Sequence, residues 1–158
     1  MAETVTFTIN GMKRTVAVDP ALKLLDVIRE EIGLTGTKRG CDNSTCGSCT
    51  VVMNGKAVKS CTVALEKVEG AEILTIEALA EGTKLHPIQQ ALVEAGAVQC
   101  GFCTPGIVME LYALLMKDVD ASEKDIQNAL NKHLCRCTGY EAIWEGALLA
   151  QERMKTGS

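Results

Sequence analysis

Gly40-Cys41-Asp42-Asn43-Ser44-Thr45-Cys46-Gly47-Ser48-Cys49-Thr50-Val51 sets three cysteines at C-x4-C-x2-C, and Cys61 completes the pattern as C-x4-C-x2-C-x11-C. Further along, Cys100, Cys103, Cys135 and Cys137 form C-x2-C-x31-C-x-C, so all eight cysteines fall into two sets of four. Four thiolates meet the ligand demand of a [2Fe–2S] cluster, two for each iron, and the first spacing suits a loop wrapped around such a cluster. The chain reads as a holder of two iron–sulfur clusters, with one-electron transfer as its chemistry.

Two other uses of cysteine compete. Disulfides belong to oxidising compartments, and the start of the chain, Met1-Ala2-Glu3-Thr4-Val5-Thr6-Phe7-Thr8-Ile9-Asn10, has neither the basic n-region nor the apolar h-region of a secretory leader. Zinc suits the second set taken alone, since Cys100-x2-Cys103 is half of a four-cysteine site. Cys41, five residues before Cys46, fits a cluster loop better than a zinc knuckle. A reducing, cytoplasmic setting follows from free thiolates.

The 158 residues suffice for one ordinary domain or two small ones. Aromatic residues make up only 3%, so the core must come from Val, Ile, Leu and Ala, and two such small domains would gain from a metal staple each. With a net charge of −4 and no basic run, the chain lacks the Lys and Arg clusters that nucleic acid demands. No apolar stretch is long enough for a membrane span, and Glu110 interrupts the most apolar candidate helix, residues 105–116.

Val5, Phe7 and Ile9 alternate with threonines, and Asn10-Gly11 is a type I′ hairpin signal leading to a return strand with Val16 and Val18. Asp19-Pro20 predicts a helix start, with Leu22, Leu25, Ile28 and Ile32 inward and Gly33 at its end. After the cysteine loop come a strand at 50–53, the turn Asn54-Gly55, a return strand over 56–62 bearing Cys61, and a last strand at 73–76. Two strands, a helix and further strands around a cluster loop form a β-grasp, the plant-type ferredoxin arrangement. Beyond Glu81-Gly82-Thr83-Lys84 the pattern turns helical. Helices are predicted over 86–95, from Thr104-Pro105 to about 117, from the capping-box pair Ser122 and Asp125 to about 133, and over 140–154. The expected fold is thus α+β: a ferredoxin-like β-grasp domain over 1–78, then a four-helix bundle domain over 79–158. Each half of the second cysteine set precedes a helix N-terminus, whose free N–H groups suit an anionic cluster.

Three motifs carry a family resemblance. The stretch Gly40–Val51 is the first. Gln99-Cys100-Gly101-Phe102-Cys103-Thr104-Pro105-Gly106 and Leu134-Cys135-Arg136-Cys137-Thr138-Gly139-Tyr140 are the others. Together they resemble the small iron–sulfur subunit of molybdenum hydroxylases, the xanthine oxidase family, over nearly the whole chain. The resemblance implies one [2Fe–2S] cluster per domain and no catalytic residue in this chain. It implies a large subunit holding a molybdenum–pterin centre, an FAD-binding medium subunit, and assembly as a dimer of heterotrimers. It further implies that Gln99, through its amide, and Cys137, as ligand and contact, meet the pterin. In that family Gly usually occupies the position of Ser44, so the backbone shape of the first loop is in question.

The remaining residues read as ordinary. His86 and His133 are not needed as ligands, because cysteines fill both sites. Met109 and Met116, two turns apart, read as core. Lys38-Arg39 reads as a solvated loop, Arg136 as a charge near the second cluster, and Tyr140 with Trp144 as a packed or partner-facing pair. Gly47, Gly101 and Gly139 read either as turn residues or as places where backbone N–H groups reach sulfur. The rival functions are a free-standing two-cluster carrier, which would purify alone, and a zinc-stabilised binding module, which would be colourless.

Overall fold

The computed structural model describes residues 2–157; Met1 and Ser158, at the outer ends of the two expected domains, lie outside them. The first half is a five-stranded sheet, β1 (Glu3–Ile9), β2 (Met12–Val18), β3 (Thr50–Met53), β4 (Lys56–Lys59) and β5 (Glu72–Leu74), in the order β2-β1-β5-β3-β4. The β1–β5 pairing is parallel and the others antiparallel. Asn10 and Gly11, and again Asn54 and Gly55, all take positive φ, as type I′ turns require. Under the sheet lie Leu24, Val27 and Ile28, packed against Val5, Phe7, Ile9, Val51 and Ile73.

The helix expected from Asp19 begins later, at Leu24. Asp19 instead closes a turn, accepting from Ala21 N at 2.9 Å through its side chain and from Leu22 N at 3.0 Å through its carbonyl. Leu22 O accepts from Leu65 N, and Leu24 N donates to Val63 O, so this stretch is tied to a neighbouring segment before any helix begins. What remains is α1 (Leu24–Asp26), which runs directly into a π-helical turn, Val27–Glu31. Cys61 also departs from expectation. The β4 ladder ends at Lys59, where Ser60 N and Oγ both turn onto Cys49 O, and Cys61 follows in a turn.

The second half holds α2 (Pro87–Glu94), α3 (Thr104–Lys117), α4 (Glu123–Leu130) and α5 (Glu141–Thr156). Ser122 and Asp125 cap α4 reciprocally as read from sequence. His86 caps α2, its Nδ1 accepting from Ile88 N at 3.2 Å, and its ring meets Tyr112 edge-on. At Gly146 α5 comes so near α2 that a Cβ would stand 2.8 Å from the Leu92 side chain. Met109 is core, whereas Met116 is 60% exposed, a correction to its reading as buried. Adjacent strand residues point to opposite faces. Val51 accordingly enters the sheet core while Val52 enters the helical one, and this places α3 against the sheet.

Candidate metal centres

The first set lies in the loop between α1 and β3 and the turn after β4. Cys49 and Cys61 are buried against Leu25, and Cys41 and Cys46 are partly exposed. Thr45 N and Cys46 N both donate to Cys41 Sγ, at 3.2 and 3.3 Å. Burial opposes ionisation there, but the backbone N–H groups of Cys46, Asn43 and Thr45, with the neighbouring Cys46 thiol, outweigh it and bring the Cys41 thiol down to about 7. At Cys61, burial and the Cys49 neighbour push the thiol up to about 11, against a hydrogen bond from the Ser44 backbone. Ser44 does adopt the left-handed backbone that Gly would favour, at φ +66°, and the Lys59 ammonium donates to its carbonyl. The loop shape therefore survives the serine.

In the second set, Cys103 sits at the N-terminus of α3, and Cys135 and Cys137 precede that of α5, as the helix-terminus argument predicts. Thr138 Oγ1 donates to Cys135 Sγ at 3.1 Å, and Phe102 N to Cys100 Sγ at 3.5 Å. Cys135 lies below its ordinary pKa because hydrogen bonds from Thr138 and Cys137 overcome its burial. Burial, and next Cys135, drive Cys103 up to about 12. Tyr140, with φ +76°, accepts from Cys135 N through its hydroxyl at 3.0 Å and so fastens the ligand loop. The sequence marked Tyr140 as the end of the Leu134–Tyr140 motif and by its four-residue spacing to Trp144, and the structure sets both residues along one cavity of about 550 Å³.

No cysteine is in a disulfide among the described residues, and no three His, Cys, Asp or Glu side chains there converge on one point. The thiols lie in pairs instead: Cys41 beside Cys46, Cys49 beside Cys61, Cys100 beside Cys137, and Cys103 beside Cys135. Two pairs per set is the donor arrangement of a binuclear centre with two thiolates on each iron. The second set opens outward through exposed Cys100 and Cys137, with exposed Gln99 beside them. Lys38-Arg39 is not simply solvated, since Arg39 pairs with Asp26 and Asp42 across the first loop.

The two loops meet. Leu134 N donates to Cys46 O at 2.9 Å, so a residue adjoining Cys135 is bonded to a member of the first set. Gly47 has φ +75°, and a Cβ there would lie 2.5 Å from His133 Nδ1 and 2.6 Å from Lys132 O. Gly106 of α3 closes on the other side, where a Cβ would stand 2.3 Å from Gly47 O. None of these approaches is visible in the local sequence.

Comparison with known proteins agrees with this geometry. The 2Fe-2S iron-sulfur cluster binding domain family matches residues 7–85, and the [2Fe-2S] binding domain family matches residues 75–148. The chain is 42% identical over 150 residues to the nicotinate dehydrogenase small FeS subunit of Eubacterium barkeri, covering 95% of this chain and 96% of that protein. It superposes on quinoline 2-oxidoreductase from Pseudomonas putida 86 with a TM-score of 0.91 and 37% identity, over 99% of this chain and 98% of that one. With aldehyde oxidoreductase from Desulfovibrio gigas the TM-score is 0.93 at 36% identity, covering 99% of this chain but 18% of the longer one. Cysteine pairing, fold and relatives agree: the chain belongs to the small, two-cluster iron–sulfur subunits of the molybdenum hydroxylase family.

Proposed function

We propose that this chain is the electron-transfer subunit of a molybdenum hydroxylase-type oxidoreductase, carrying electrons from a molybdenum–pterin centre to a flavin subunit or another acceptor. In this reading Cys41, Cys46, Cys49 and Cys61 ligate the first [2Fe–2S] cluster, and Cys100, Cys103, Cys135 and Cys137 the second, one thiol pair to each iron. The clusters supply one-electron chemistry, while the chain supplies position, insulation and potential. The Leu134 N–H to Cys46 O hydrogen bond carries the reading, because it is a direct link between the two ligand loops. Electrons enter at the outer pair, Cys100 and Cys137, and leave for the first cluster from the inner side, near Cys135. The first unit runs over 1–78 and the second over 79–158, a division lying within the overlap of the two matched stretches.

The partners in this reading are a large pterin-holding subunit and an FAD-binding medium subunit, assembled as a dimer of heterotrimers in the cytoplasm. Phe102, Leu134 and Tyr140, each more than 40% exposed around the second set, supply an apolar rim for the large subunit. No helix among the described residues is long and apolar enough to cross a membrane. Metal analysis and EPR of the reduced protein test the core of the proposal: about four irons per chain and two distinct [2Fe–2S] signals are expected. Bound zinc with one such signal would overturn it.

Gln99 is proposed to hydrogen-bond the pterin, its amide offering both a donor and an acceptor to a heterocycle edge. It is exposed beside Cys100 and carries no side-chain hydrogen bond among the described residues. Gln99→Ala should keep both clusters, seen by EPR after dithionite, which bypasses molybdenum. Substrate-driven reduction should slow, or pterin retention weaken, by about 1–3 kcal/mol, the penalty for a buried partner left unpaired. Wild-type behaviour in both respects would reduce Gln99 to a turn residue.

A further inference from the structure

Glu110 is the unusual residue of α3. It lies one turn beyond Gly106, on the face that meets the first cysteine loop, and only 6% of it is exposed. Lys132 Nζ donates to its Oε1 at 2.8 Å, and His133 Nε2 stands 3.4 Å from its Oε2. Burial raises the carboxyl, but the hydrogen bonds from His133 and Lys132 outweigh it and hold the group below the usual carboxylate range. The His133 ring is itself buried, and its Nδ1 has no hydrogen-bond partner among the described residues. That nitrogen instead lies against Gly47. A layered seam results: α3 at Gly106, the Cys46-Gly47-Ser48 turn, and the Lys132-His133-Leu134 segment. Glu110 joins the outer layers and closes them over the turn.

Only the Glu110 end of its ion pair with Lys132 is buried; desolvation of that carboxylate offsets much of the attraction, and in some proteins such pairs serve to fix one arrangement over others. The arrangement fixed here contains the Leu134 N–H to Cys46 O bond. We propose that Glu110, with Lys132 and His133, is a positioning device that sets the contact between the two cluster loops and hence the transfer of electrons between them. The inference rests on the two-cluster relay reading. The side-chain partners of Glu110 among the described residues are Lys132 and His133 and no cysteine, so its removal should leave all eight thiols in place and loosen the segment that carries Leu134.

The test uses the assembled complex with Glu110→Ala, Glu110→Gln and Lys132→Ala. Iron content and dithionite-reduced EPR first confirm two intact clusters. The readouts are the low-temperature mutual splitting of the two reduced signals and the hydrogen-exchange rate of the Leu134 amide. Glu110→Ala should diminish the splitting and speed exchange roughly tenfold, a local opening without global unfolding. Gln keeps an oxygen for Lys132 and a donor for the other histidine tautomer, so Glu110→Gln should recover most of both. Lys132 is largely exposed, and Lys132→Ala should move both readouts in the same direction by less; it carries the test if Glu110→Ala does not fold. Unchanged splitting and exchange in the variants with both clusters present would overturn the proposal. Faster exchange with unchanged splitting would also overturn it, leaving Glu110 a plain brace. A wild-type complex without two coupled signals would instead sink the relay reading, and the exchange arm would still report on the clasp.

Discussion

Cys103→Ser is expected to remove the second cluster, to lower bound iron by about half, and to cut substrate-driven reduction of the first cluster to background. Cys103 is the buried thiol at the N-terminus of α3, next to Cys135. Serine keeps the volume but not the ligand, because an alcohol does not ionise as a thiol does and binds iron poorly. The first cysteine set draws on separate elements, with Cys49 and Cys61 enclosed by Leu25, so its cluster should survive. Cys46→Ser is the mirror experiment: the second cluster stays and is reduced by substrate, but electrons stop there. EPR of dithionite-reduced and substrate-reduced complex separates the two variants. If either substitution erases both signals while the protein remains folded, the sites are not independent and the serial relay fails.

Spacing and caps carried most of the fold to the reader of the sequence. Asn10-Gly11 and Asn54-Gly55 turn where type I′ chemistry requires, and Ser122 with Asp125 caps α4. Those signals are local, and so is the C-x4-C-x2-C run. The two misplaced elements share a cause in distant backbone pairing. The stretch from Asp19 carries a helical pattern, yet Leu22 and Leu24 are bonded to Leu65 and Val63, and tertiary pairing overrides propensity there. Cys61 leaves the strand because Ser60 is drawn onto Cys49 O. Glu110 looked like an interruption of an apolar helix and His133 like a bystander. Their relation spans 23 positions, and no local pattern announces it. The chemistry-bearing cysteines were legible because metal ligation fixes residue type and spacing together. The contact between their loops was not, because it is made by a main-chain amide and by glycines, whose meaning depends on what lies opposite.

Gly47→Ala should be strongly disruptive for the addition of a single carbon atom. The residue has φ +75°, where an L side chain is strained by about 1–2 kcal/mol. The added Cβ would stand 2.6 Å from Lys132 O and 2.5 Å from His133 Nδ1. The carbonyl cannot yield without moving the backbone that leads to Cys135, and the buried ring is held by Glu110. Overpacking of this kind costs about 1–3 kcal/mol, so the total is about 2–5 kcal/mol. For a chain of this size that is a fall of roughly 5–15 °C in melting temperature. The holoprotein should be compared at one fixed scan rate, since cluster loss makes unfolding irreversible. Gly106→Ala isolates one part of the effect. It meets Gly47 O at 2.3 Å from within a helix, where alanine itself gains about 0.5–1 kcal/mol over glycine, so its net loss should be smaller. A Gly47→Ala protein melting within about 1 °C of wild type, with the first cluster's signal unchanged, would show that the two halves are not closed over this turn.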